Sequence, residues 1–254
     1  MDVVVVEDQA AMGSVAASLV VDALGADPSL VLGVATGSSP MTTYRALAVA
    51  RATGLDFSGV RCVALDEYLG IAETDPASYH SFVRREIAAP LGIPFEHVLV
   101  PDGAATDPDA ACLAFEDAVR RWGGVDVQLL GIGRNGHLGF NEPGSPFGSR
   151  TRVAQLSGTT RIDNARFFPR PEDVPTHCLT QGLGTILEAS RLVLVASGSH
   201  KASAVAAAVE GPVTESCPAS VLQRHDHATV IVDREAAAGL ARMGDATPGH
   251  DWLH

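Results

Sequence analysis

Short valine-rich runs alternate with alanine-rich stretches of helical pattern along almost the whole chain, and this alternation limits the available folds more than any other feature. The strand-like runs are residues 3–6, 30–35, 60–65, 97–100, 125–130, 191–196 and 228–232. The stretches 9–24, 41–52, 77–90, 108–122, 180–189, 200–209 and 218–224 between them carry the spacing of helices. Strands that are apolar on every residue belong to a sheet covered on both faces, and strand–helix alternation makes that sheet mostly parallel. The expectation is an α/β, three-layer fold with a mostly parallel sheet, formed by residues 1–254 as a single domain, a length that can bury a full core. There is no internal repeat. One interruption stands out at 146–175, where polar and charged residues replace the apolar runs and Phe167-Phe168-Pro169 appears. A long irregular insert in a compact domain is expected to be an active-site lid or binding loop. From about Ala246 the chain reads as a loosely held tail.

Charge and cysteine usage narrow the function classes. A net charge of −12 leaves no basic surplus to neutralise phosphates, so nucleic acid and anionic membrane are not expected partners. A small anionic ligand stays compatible, because a local cluster of cations and helix N-termini can bind it. Cys62, Cys112, Cys178 and Cys217 are scattered without a CxxC pair or zinc spacing, as expected of reduced, buried thiols. The opening Met1-Asp2, four valines and Glu7 lack the form of a secretory leader. No apolar run approaches the length of a membrane span. A cytoplasmic, soluble protein is expected.

The chemistry-bearing residues fall at strand ends. Residues 129–144, LLGIGRNGHLGFNEPG, leave the run 125–130 through a glycine-rich loop that carries Asn135, His137, Asn141 and Glu142. A histidine and a carboxylate at the carboxyl end of a parallel strand sit where open α/β sheets bind ligands; an ordinary connection with a surface histidine has the same sequence. After the run 30–35 comes Thr36-Gly37-Ser38-Ser39-Pro40, with small residues, hydroxyls and free N–H groups at a helix start. That suits phosphate, and would equally serve as a capped helix start. It is neither a Walker loop nor G-x-G-x-x-G, so nucleotide binding is not implied. Asp66 and Glu67 end the run 60–65, where one carboxylate can cross the top of the sheet and act on a C–H bond next to a carbonyl, or both can face water. In 197–203, SGSHKAS, Lys201 has the wrong sign for a helix N-terminus unless an anion lies between them, and Arg166 in the insert could close over the same anion. Solvation of either cation is the alternative. His225 and His227 lack a Cys or carboxylate partner at ligand spacing, so no metal site is expected.

In this order and spacing, the segments ATGSSPMTTYRAL, ALDEYLG, GIGRNGHLGFNEPG, SRTRV, ARFFP, LTQGLGTIL, GSHKASAVAAAVEGP and PASVLQRH resemble the glucosamine-6-phosphate deaminase (isomerase) family over nearly the whole chain. Each segment is weak alone; eight in register are specific. The resemblance implies a modified Rossmann-like fold and conversion of glucosamine 6-phosphate to fructose 6-phosphate and ammonia, in amino sugar catabolism, with no metal or organic cofactor. It implies that Asp66 is the base moving a proton between C2 and C1, and that His137 assists ring opening with Glu142 as its carboxylate partner. Gly37, Ser38, Ser39, Arg166 and Lys201 would cradle the phosphate. Two positions depart from the pattern. Many members carry Asp where this chain has Asn135, which can orient the histidine but lends it no charge. Allosteric members carry a lysine where this chain has Ala154, so a site for N-acetylglucosamine 6-phosphate is doubtful here. Monomer and homo-oligomer are both compatible with the sequence. The alternatives are a galactosamine-6-phosphate deaminase, a 6-phosphogluconolactonase, or a sugar-phosphate-sensing regulator. The last should bring a basic helix-turn-helix, which the sequence lacks, and has no use for Asp66, His137 and Glu142 together.

Overall fold

The structure, a computed structural model, describes residues 1–241, so the expected tail from Ala246 lies outside the described residues. In chain order the strands are β1 Asp2–Val6, β2 Val31–Val34, β3 Arg61–Ala64, β4 Asp66–Tyr68, β5 Val98–Leu99, β6 Val127–Leu130, β7 Arg152–Gln155, β8 His177–Thr180, β9 Arg191–Ala196 and β10 Ala228–Asp233. The helices are α1 Gln9–Ala26, α2 Met41–Ala52, α3 Tyr79–Val83, α4 Ala89–Leu91, α5 Pro108–Arg121, α6 Gly158–Asn164, α7 Leu183–Leu187, α8 Ala202–Val209 and α9 Arg234–Ala237. A π-helical turn, Arg84–Ala88, joins α3 to α4.

Seven strands form the expected parallel sheet in the order β1-β10-β9-β6-β2-β3-β5. Alternate residues of its strands feed two cores. Leu192, Leu194 and Ala196 of β9 pack with Phe115, Val119, Val205 and Ala208 on one face. Val193 and Val195 pack with Met12, Val20, Tyr44, Leu47 and Ile87 on the other. This is the three-layer α/β architecture expected from strands that are apolar on both faces. α1 corrects one expectation: at 18 residues and mean hydropathy 1.3 it is long and apolar enough to cross a membrane. In this fold Met12, Gly13, Ala16, Ala17, Val20 and Leu24 of α1 are buried, so its apolar character is that of a core helix.

A second sheet was not expected from the sequence. β4, β8 and β7 form a three-stranded antiparallel sheet, with Asp66 opposite Thr180 and Glu67 opposite Leu179. It corrects two readings. The insert 146–175 is not irregular, because it contains β7 and α6. The stretch 180–189 begins as the end of β8, and its helix is only Leu183–Leu187. Both strands that pair with β8 carry charge, as DEY and RVAQ, so neither shows an apolar run.

Chain order reverses across the β2–β6 pair: β3 and β5 extend the sheet on one side, β9, β10 and β1 on the other. The loops that leave such a pair diverge and open a crevice at the strands' carboxyl ends.

Candidate active site

The crevice holds a cavity of about 330 Å³. Its wall includes Gly37, Ser38 and Ser39 after β2, Asp66 of β4, His137 after β6, Arg166 in the insert and Lys201 before α8. Seven of the nine residues singled out from the sequence therefore share one cavity. Asn135 and Glu142 are not on its wall; they stand behind His137.

Local structure explains each placement. Gly37 has φ of +121°, a conformation open to glycine, and turns the chain from β2 into α2. The buried Tyr44 of α2 fastens this turn: its hydroxyl donates to the carbonyl of Ala35 (2.9 Å) and accepts from the N–H of the same residue (3.0 Å). In the loop after β6, a Cβ on Gly133 would lie 2.3 Å from the His137 ring, so only glycine lets the imidazole lie back over the loop. Lys201 donates from Nζ to the carbonyl of Ile132 at 2.6 Å, tying the loops after β9 and β6 together. Burial lowers the proton affinity of its ammonium, and the nearby Arg134 and Arg166 lower it further, against the opposing effect of Asp163. Cations gathered this way call for an anion. Arg166 lies over the Phe167 ring at 4.7 Å.

The histidine has a built carboxylate partner. Glu142 Oε2 lies 3.7 Å from His137 Nδ1, an ion-pair contact too long for a hydrogen bond, and Nδ1 is buried without another partner. Asn135 donates from Nδ2 to Glu142 Oε2 at 2.7 Å, while its Oδ1 accepts from the backbone N–H of His137. Asn135 therefore orients the carboxylate, and touches the histidine only through the main chain. Thr160 of α6 donates to the other oxygen of Glu142. Burial pushes the Glu142 carboxyl up, but the facing His137 and the Thr160 and Asn135 donors outweigh it and hold it at about 2.

Asp66 is 5% exposed at the cavity. Burial, and then the charge of Glu67, push it well above the usual carboxylate range. A carboxyl with raised proton affinity in a dry pocket has the character of a general base for a weakly acidic C–H. Sequence reasoning gave no site role to Tyr68, Tyr79, Phe82, Arg85 and Arg134 of the remaining wall, and placed Thr160, Asp163, Asn164 and Phe167 only within the expected lid segment. Tyr79, Phe82 and Arg85 are spaced i, i+3, i+6, the one available sign that they share a helix face. Tyr68 packs against Tyr79, Phe140 and Phe168 at ring-centroid distances of 5.0, 5.7 and 5.3 Å. Away from the cavity, His225 has both ring nitrogens engaged, with the carbonyl of Ala189 and the N–H of His227, as a structural histidine does. All four cysteines are free and buried.

Known proteins match this chain over most of its length. The family of glucosamine-6-phosphate isomerases and 6-phosphogluconolactonases matches residues 7–231. A glucosamine-6-phosphate deaminase of Cutibacterium acnes is 52% identical over 241 residues, spanning 94% of this chain and 92% of that protein. The solved structure of a monomeric glucosamine-6-phosphate deaminase superposes with a TM-score of 0.91 at 41% identity, covering 94% of this chain and all of the other. The 6-phosphogluconolactonase of Trypanosoma cruzi, at 22% identity and a TM-score of 0.76 over 94% of this chain and 97% of its own, shares the fold. By sequence and by structure, then, this chain belongs to the family of glucosamine-6-phosphate isomerases and 6-phosphogluconolactonases.

Proposed function

We propose that this protein is a glucosamine-6-phosphate deaminase, converting glucosamine 6-phosphate and water to fructose 6-phosphate and ammonia in amino sugar catabolism. The observation that carries this reading is the buried carboxyl of Asp66 on the same cavity as His137 and a cationic corner. The deaminases at 52% and 41% identity favour it over the lactonase branch, and a lactone hydrolysis has no C–H proton for Asp66 to take.

The steps follow from the groups present. Gly37, Ser38, Ser39, Arg166 and Lys201 hold the phosphate and supply binding energy remote from the reacting carbons. His137, with Glu142 to balance its charge, moves the proton between the ring oxygen and the C1 hydroxyl as the pyranose opens to an aldehyde. Asp66 takes the proton from C2 while His137 gives one to the C1 oxygen, leaving an enolamine; Asp66 then returns its proton to C1, and the nitrogen gives one back to His137. The imine then at C2 adds water and releases ammonia, giving the ketone. The chain's own acids and bases carry every transfer, and the reading includes no cofactor or metal. The segment 146–175 acts as the lid, since Thr160, Asp163, Asn164, Arg166 and Phe167 cover the cavity.

The protein acts in the cytoplasm as a monomer without activation by N-acetylglucosamine 6-phosphate. Two features support the monomer and the lack of activation. Ala154 offers no cation, and the Arg152 guanidinium is committed within the chain, donating to Asn141 Oδ1 (2.8 Å) and Ser145 Oγ (3.1 Å). The solved relative at 41% identity is itself monomeric.

The test is release of ammonia and fructose 6-phosphate from glucosamine 6-phosphate. Equal amounts are expected from the wild type, with Asp66→Asn at least about a thousandfold slower. Absence of ammonia overturns the reading, and galactosamine 6-phosphate and 6-phosphogluconolactone assayed on the same sample distinguish the other branches.

A further inference from the structure

Glu67 is a buried carboxylate that the reaction above does not use. It is 1% exposed, and side chains alternate along a strand, so while Asp66 looks into the cavity Glu67 points behind it. There Oε1 accepts from the N–H groups of Tyr68 (2.9 Å) and Tyr79 (3.0 Å), and Oε2 accepts from the N–H of His80 (3.0 Å). Tyr79 and His80 open the helical segment whose Tyr79, Phe82 and Arg85 form the cavity wall. A Cβ on Gly103 would lie 2.8 Å from Glu67 Cγ, so the space around the side chain is filled.

We propose that Glu67 is a positioning residue for the deaminase reaction: one side chain fastens the strand that presents Asp66 to the helix that walls the cavity. This rests on the functional reading above. Its charge also acts on Asp66 directly, because two adjacent carboxylates in a dry site resist ionising together. The titratable and charged groups around Glu67 are Asp66 and Tyr68 on its own strand, Asp75 in the following loop, and Tyr79 and His80 on α3, with Glu73, Arg84 and Asp102 acting in turn on His80. His80 Nδ1 stands 3.8 Å from Oε2, and its Nε2 is 3.5 Å from Glu73. Burial raises the Glu67 carboxyl, against its three N–H donors, to about 7.

Two variants separate the two roles. Glu67→Gln removes the charge and leaves an amide oxygen for two of the three N–H groups. With less repulsion Asp66 ionises more readily, so the acid limb of kcat/KM against pH is expected to move down by about one pH unit. Glu67→Asp keeps the charge but falls short of α3, so the limb should stay while kcat drops about tenfold at every pH. A Gln variant whose limb is unmoved, or an Asp variant with wild-type kcat, overturns the proposal. Should the variants not fold, carboxyl carbon-13 NMR of the wild-type protein reads the pair: Asp66 and Glu67 must each report the other's titration, and independent single-step curves overturn the coupling. That measurement needs no turnover, so it still decides if the wild type releases no ammonia and the deaminase reading itself fails.

Discussion

The group behind His137 shows how one residue changes the task of its neighbours. Glu142 receives two side-chain donors, Asn135 and Thr160, and faces the imidazole with the same oxygen that Asn135 binds. An amide at 135 is therefore complementary to Glu142, and where the sequence suggested that it orients the histidine, its side chain bonds the carboxylate and the His137 main chain instead of the ring. Asn135→Asp would exchange this donor for a second carboxylate in hydrogen-bond contact with Glu142. Like charges at that distance resolve by sharing a proton. Activity is expected to stay within about tenfold of wild type near neutral pH, with a loss that deepens as pH rises and the shared proton leaves. Initial rates of ammonia release across the pH range check this, and a loss that instead lessened toward high pH would contradict the proton-sharing account. Glu67 was hard to assign from sequence for a related reason: in an Asp-Glu pair nothing local says which carboxylate faces the cavity, and only pairing with β8 decides it.

Among the elements, legibility followed burial. The five inner strands of the parallel sheet were each visible because both of their faces lie in apolar cores, whereas the edge strand β1, with Val3 and Val5 exposed, was visible from its valine run alone. β4, β7 and β8 were not, since their sheet has charged residues at strand positions and ties β4 in by pairing across more than 100 residues of sequence, from Asp66 to Thr180. That hidden sheet is the base of the insert. Contacts by which the insert reaches the cavity from it include Phe168 packed edge-on against Tyr68, Thr160 bound to Glu142, and Asp163 3.7 Å from Arg134 Nε. The ion pair is exposed and contributes little; the aromatic contact and the hydrogen bond to a charged group carry more. Phe168→Ala should therefore raise KM for glucosamine 6-phosphate about tenfold, with a smaller effect on kcat, because Arg166, the proposed phosphate ligand, lies two residues away on the same segment. It should also speed proteolysis within 146–175. Steady-state kinetics and limited digestion with and without inorganic phosphate check the two halves. An unchanged KM together with faster cleavage would mean that the insert's packing does not set substrate binding.

At the scale of the whole molecule, Asp66, Glu67 and Glu142 cluster around the cavity, and their proton affinities are shifted in opposite directions. Glu67 titrates at about 7 when folded, against an ordinary value of 4.5, and Asp66 is shifted in the same direction. Between those values the folded chain holds more protons than the unfolded one, so stability falls as pH rises from about 4.5 through about 7. Glu67 alone accounts for about 3 kcal/mol of that fall. Glu142 works the other way. Its folded value near 2 lies below the ordinary 4.5, so its contribution, also about 3 kcal/mol, is complete above about 4.5 and is lost as pH drops toward 2. Glu116 joins it on the acid side: burial raises its carboxyl, but bonds from Thr151, Thr185 and Arg150 bring it below its ordinary value. The two sets together place the stability maximum in mildly acidic solution, on the acid side of the pH at which Asp66 is free to act as a base. Activity and stability are therefore expected to have separate pH optima, with activity at the higher pH. Scanning calorimetry over a pH series, beside the rate profile of the same preparation, tests this. A melting temperature that kept rising through neutrality would show that the buried pair is already ionised in the folded protein, and would remove the energetic ground for assigning Asp66 as the base.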